Sequence, residues 1–140
     1  MLDIELVDEL DEASRKVAGV KRMPTEAAAA YVQDLVEIFV TDSSNLHWWE
    51  GLKGSATRVP YGSADGLAKL ESLLGEQADV RLIVTDEEEP PWPVYAGGAL
   101  QLIAMLRECR FCEFMMAAPD LSWAIFDTHM NELVSVGLDI

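Results

Sequence analysis

Asp127-Thr128-His129 is the stretch of this sequence closest to chemistry. In an extended strand Asp127 and His129 share a face, and a carboxylate beside an imidazole can orient it as a general base. Glu113 would join them if the preceding hairpin pairs residue 117 with 123, which sets 113 opposite 127. A one-residue slip in register breaks that cluster, and no nucleophile stands beside it. The spacing leaves two readings open. One is a small hydrolase-like enzyme with His129 as base and Asp127 as its orienter, and the other is a hydrogen-bonded network at a hairpin end.

Cys109-Arg110-Phe111-Cys112 has the thiol spacing of zinc and redox sites. A structural zinc site needs a second pair or suitably placed histidines, and the two histidines are His47 and His129. A redox pair belongs at a helix N-terminus, where the dipole favours the thiolate. This pair falls at a predicted helix C-terminus, so buried thiols are the simpler reading. Cys109 and Cys112 are thus the metal candidates, and no metal or other cofactor is expected.

Recognition chemistry is better represented. Trp48, Trp49, Tyr61, Trp92 and Tyr95 fall outside the clearly periodic segments, and large aromatics in loops are favoured contact residues. One tryptophan of the 48–49 pair, together with Trp92, could instead plug an end of the core. Asp86-Glu87-Glu88-Glu89 runs into Pro90-Pro91-Trp92-Pro93. The prolines stiffen the segment, so docking would cost less entropy.

The elements that would hold these residues can be read from periodicity. Leu6, Val7, Leu10, Ala13 and Val17 make a helical stripe over 4–18, stopped by Gly19. Pro24-Thr25-Glu26 opens a second helix whose predicted stripe is Ala27, Ala28, Tyr31, Leu35, Ile38 and Phe39. These two helices either pair antiparallel or flank a sheet. A third, short helix spans 64–74. Val80–Thr85 is a strand whose continuous apolarity suggests the inside of a sheet. Residues 86–93 form a loop, and 97–108 a helix with Leu100, Ile103, Ala104 and Leu106 inward. Phe111–Ala117, Ser122–Thr128 and Glu132–Val136 complete an antiparallel meander. The predicted fold is α+β (mixed α/β), an N-terminal helical pair packed on a sheet ending in a three-stranded antiparallel meander. The 140 residues suit a single domain, 1–140.

Charge narrows the partners. Ten basic and twenty-five acidic residues give a net charge of −15. Residues 1–70 carry seven basic and twelve acidic residues, and residues 71–140 carry three and thirteen. That field repels phosphates, which argues against nucleic acid unless the cations cluster. No apolar run approaches a membrane span. The acidic start Met1-Leu2-Asp3-Ile4-Glu5 predicts no secretory signal, and two cysteines make no disulfide framework. A cytoplasmic location is expected.

Several stretches together resemble a known group. They are Ile83-Val84-Thr85-Asp86, Pro91-Trp92-Pro93-Val94-Tyr95-Ala96-Gly97, Cys112-Glu113-Phe114-Met115-Met116 and Ser122–Asn131, with His47-Trp48-Trp49-Glu50 before them. They look like a small, functionally uncharacterised family of acidic bacterial proteins, similar in size and acidity to immunity proteins of toxin systems. The resemblance covers about half the chain and implies a bacterial α/β domain; it brings no catalytic residues. The preferred expectation is a non-enzymatic acidic module that binds a basic protein, in its sharpest form an inhibitor of a basic toxin domain. Glu87 and Glu88 would steer that partner, and Trp92, Tyr95, Trp48 and Trp49 would hold it. A purely structural or regulatory domain is the remaining alternative.

Overall fold

Val80-Arg81-Leu82-Ile83-Val84 buries side chains on both of its faces, and the architecture is organised around that strand. The computed structural model describes residues 6–39, 56–61, 66–85, 92–109, 114–127 and 132–137. Among these residues lie four helices, α1 (Leu6–Lys16), α2 (Thr25–Phe39), α3 (Gly66–Leu74) and α4 (Ala99–Arg107). Seven strands accompany them: β1 (Lys21–Arg22), β2 (Ala56–Pro60), β3 (Val80–Val84), β4 (Val94–Gly97), β5 (Phe114–Ala117), β6 (Ala124–Asp127) and β7 (Glu132–Val136). The strands form one antiparallel sheet in the order β1-β4-β3-β5-β6-β7-β2. The fold is therefore α+β, with the expected meander at β5-β6-β7 and β3 inside the sheet.

Strand alternation sends neighbouring residues to opposite faces, and each face has its own core. Leu82, Met116, Ile125 and Leu133 pack with Leu10 and Ala13 of α1, Leu70 and Leu74 of α3, and Leu102, Ile103 and Leu106 of α4. Ile83, Met115, Phe126 and Val136 pack with Ala28, Val32, Leu35 and Phe39 of α2. The first two helices thus flank the sheet rather than pair with one another. Gly19, at φ +86°, supplies the left-handed turn that leaves α1 and enters β1. Gly97 of β4 lies against that turn, where a Cβ would come within 3.2 Å of the Gly19 carbonyl oxygen.

Two helical stripes differ from their sequence reading. In α2, Ala27 and Ile38 face solvent, and Val32 takes the buried position between Ala28 and Leu35. In α4, Leu100 and Ala104 are exposed while Ala99, Leu102, Ile103, Met105 and Leu106 are buried. α4 contacts both α1 and α3, so its buried arc is wider than one stripe and is centred elsewhere. Strand β4 also lies where the sequence predicts no strand, because only three residues stand between Pro93 and Gly97-Gly98 and they read as loop. Among the described residues no helix is long and apolar enough to cross a membrane.

Among the described residues, the Ser135 hydroxyl of β7 is buried without a hydrogen-bond partner, beside Ile125 on the neighbouring strand. A buried unpaired hydroxyl costs about 1–3 kcal/mol of desolvation. Ser135→Ala is accordingly expected to raise stability by about 1 kcal/mol. Urea denaturation should show a higher midpoint at unchanged slope, and a lower midpoint would mean that the hydroxyl is bonded.

Candidate functional site

Asp127 ends β6 and is buried, at 8% exposure. The Tyr61 hydroxyl donates to its Oδ1 at 2.8 Å. Gly66, the first residue of α3, lies so close that a Cβ there would sit 3.1 Å from Asp127 Oδ2 and from the Tyr61 ring. The carboxylate is therefore enclosed between a tyrosine and the first described residue of α3. His129 and Glu113 lie outside the described residues.

The register corrects the placement of Glu113. Met115 faces Phe126 and Ala117 faces Ala124, which puts position 114, not 113, across from 127. The cause is in the turn. The Ala118 amide donates to the Trp123 carbonyl and the Leu121 amide to the Ala118 carbonyl, with Leu121 at φ +60°. Asp120 Oδ1 accepts the Ser122 amide at 3.1 Å, and its hydrogen bonds with Ser122 hold this carboxyl below the usual range. Four residues thus separate the closing pair 118–123, one residue out of step with a 117–123 pairing.

The recognition residues divide. Tyr95 is fully buried on β4 and donates its hydroxyl to Asp11 Oδ1 at 2.7 Å, so it is a core residue and not a contact residue at the surface. An aromatic between Pro93 and Gly97 reads as loop, but it stands in a strand with one face turned to α1. Burial pushes its hydroxyl pKa well up, and the hydrogen bond to Asp11 adds to the effect. Trp92 is partly buried against the α2 core. It lines a recess with Arg22, Met23, Thr25, Ala28 and Pro93. Trp48, Trp49, Glu87 and Glu88 lie outside the described residues. Cys109 follows α4 as a partly buried thiol 3.9 Å from the Glu9 carbonyl oxygen, and Cys112 lies outside the described residues. Among the described residues no three His, Cys, Asp or Glu side chains gather in a metal-binding group.

Two features were not singled out from the sequence. The first is the outer side of α2, which carries Glu26, Asp34 and Glu37 and has no Lys or Arg anywhere along the helix. Ile38, 48% exposed, lies on that side. The second is an open groove between α1 and β1, lined by Asp11, Ser14, Arg15, Val20, Lys21 and Arg22. Here Arg22 Nη1 donates to Asp11 Oδ2 at 2.9 Å, so Asp11 binds Tyr95 with one oxygen and Arg22 with the other. Four of the ten basic residues fall between 15 and 22, which is the sequence signal for this groove.

No protein-family model matches the chain, and the comparisons with curated proteins and with solved structures returned no match.

Proposed function

We propose that this chain is a non-enzymatic acidic module that captures a basic protein, with an immunity-type inhibitor of a basic toxin domain as the sharpest form of the reading. The observation that carries it is how charge is distributed over the described residues. Lys16, Arg22, Arg58, Arg81 and Arg107 are each committed to a carboxylate of the same chain. Glu26 and Asp34 stand exposed on a helix that carries no Lys or Arg of its own. Trp92 lines the recess at the start of that helix, beside Thr25 and Ala28, and the acidic run Asp86–Glu89 leads into it along the chain. Exposed like charges of this kind raise the encounter rate with a basic surface, while a half-buried tryptophan and Ile38 supply apolar contact that slows release.

The alternative, a hydrolase using Asp127 and His129, draws no support from the surroundings of Asp127, whose oxygens face the Tyr61 hydroxyl and the start of α3. The cytoplasm remains the proposed location and bacteria the proposed source, both on the sequence reading alone.

The test is co-purification with the product of the adjacent gene, followed by stopped-flow association. The association rate is expected to fall steeply with added salt, because exposed charges are screened over about 8 Å at physiological ionic strength. Reversing Glu26 and Asp34, or Glu87 and Glu88, to lysine should slow association about tenfold or more. Trp92→Ala should act mainly by speeding dissociation. Association insensitive to both salt and charge reversal would reduce the acidity to a solubilising role and end the inhibitor reading.

A further inference from the structure

The groove between α1 and β1 has a charge balance opposite to that of the rest of the molecule. Arg15, Lys21 and Arg22 line it together with one carboxylate, Asp11. Both oxygens of that carboxylate are already engaged, Oδ1 by the Tyr95 hydroxyl and Oδ2 by Arg22. Arg15 stands four residues after Asp11 on the helix, the spacing at which an ion pair would form, yet Asp11 pairs with Arg22 instead. Among the described residues neither Arg15 nor Lys21 has an ion-pair partner. The groove therefore holds three cations against one anion, a local surplus of two positive charges in a chain of net −15.

The backbone adds a donor. The Met23 amide donates to the Val94 carbonyl, and Arg22 faces Tyr95 one residue along. In an antiparallel ladder the hydrogen-bonded pairs alternate, so the N–H of Arg22 is directed away from β4, at the outer edge of the sheet. Arg22 itself is held in place, since its guanidinium is fixed by Asp11 and Asp11 by a buried tyrosine.

We propose that this groove is a binding site for a phosphate dianion, either free phosphate or a phosphate monoester. A dianion matches the surplus of two charges, whereas a single carboxylate would leave half of it uncompensated. Guanidinium groups offer paired N–H donors that suit phosphate oxygens, and charge-assisted bonds of this kind are the strong ones. The acidic remainder of the molecule does not forbid such a ligand, because charges beyond about 8 Å are largely screened at physiological ionic strength. The site is independent of the proposed acidic docking face, and either could fail without the other.

The experiment is a titration of the full chain with inorganic phosphate and, separately, phenyl phosphate, followed by amide NMR shifts at constant ionic strength. Saturable shifts centred on Arg15, Lys21 and Arg22 are expected. The double variant R15Q/K21Q, which touches no ion pair, should weaken binding about tenfold or more. Lys69→Gln, which removes an unpaired cation on α3 outside the groove, should leave affinity unchanged. Phenyl phosphate binding as tightly as phosphate assigns the site to a monoester, and phosphate binding alone assigns it to the free ion. Shifts that stay linear, that persist in R15Q/K21Q, that respond equally to Lys69→Gln, or that acetate reproduces at the same ionic strength would overturn the proposal.

Discussion

Replacing Leu102 by alanine is expected to cost about 2–5 kcal/mol of folding stability, while the same replacement at Leu100 should stay within about 0.5 kcal/mol. The two leucines are two residues apart on α4. Leu102 is fully buried among α1, α3 and the sheet, whereas Leu100 is 49% exposed. Truncating Leu102 removes contacts on all sides and leaves a cavity that close-packed neighbours such as Leu82 and Leu74 refill only in part. Truncating Leu100 removes a side chain that water already covers in part. Chemical denaturation of the two variants decides the matter. Equal losses, or a larger loss at Leu100, would mean that α4 is rotated about its axis from the orientation described here.

That pair of residues shows where sequence reading stops. The helix over 97–108 is legible because leucine, isoleucine and methionine recur at three and four residues. Its rotation is not, because nearly every apolar residue of Ala99–Arg107 fits some stripe, and the choice depends on which helices lie alongside. The central strand is the opposite case. Val80, Leu82, Ile83 and Val84 are buried whichever face is considered, so their continuous apolarity carries the answer with no knowledge of neighbours. β1, two residues long and exposed, has no local signal at all. It exists because β4 offers it an edge and Gly19 turns the chain towards that edge.

The candidate site was legible in kind and not in geometry. Asp127 makes a polar contact at the end of a hairpin strand. Its partner is Tyr61, sixty-six positions away, and no local spacing encodes that contact. Glu113 was lost to a turn residue, Leu121, in a left-handed conformation that bulky side chains seldom adopt. The basic cluster at Arg15–Arg22 was visible as composition. Its meaning as a groove depends on the helix and the edge strand standing side by side with Asp11 between them.

Tyr95→Phe is expected to lower stability near neutral pH and to raise it in strong alkali, a reversal that a simple packing defect would not produce. At neutral pH the variant loses the hydrogen bond to Asp11 and leaves a partly buried carboxylate oxygen short of a donor, for a cost of about 1–2 kcal/mol. The alkaline limb follows from the raised pKa of Tyr95, driven first by burial and then by Asp11. A raised folded value means that the native state keeps the proton where the unfolded chain releases it. The stabilisation is therefore complete below the unfolded tyrosine value of about 10 and declines as pH climbs from there towards the folded value. The decline is about 1.4 kcal/mol per pH unit, so the hydroxyl of Tyr95 should account for a loss of about 2.7 kcal/mol at pH 12. Phenylalanine has no proton to release and escapes this loss. Tyr31, whose pKa burial also pushes up, titrates in both proteins and cancels in their difference. Urea denaturation of the two proteins between pH 8 and pH 12 should thus give curves that converge above about pH 10 and cross near about pH 11. Curves that remain parallel would mean that Tyr95 ionises as freely in the folded chain as in the unfolded one, which its burial against α1 and its bond to Asp11 do not permit.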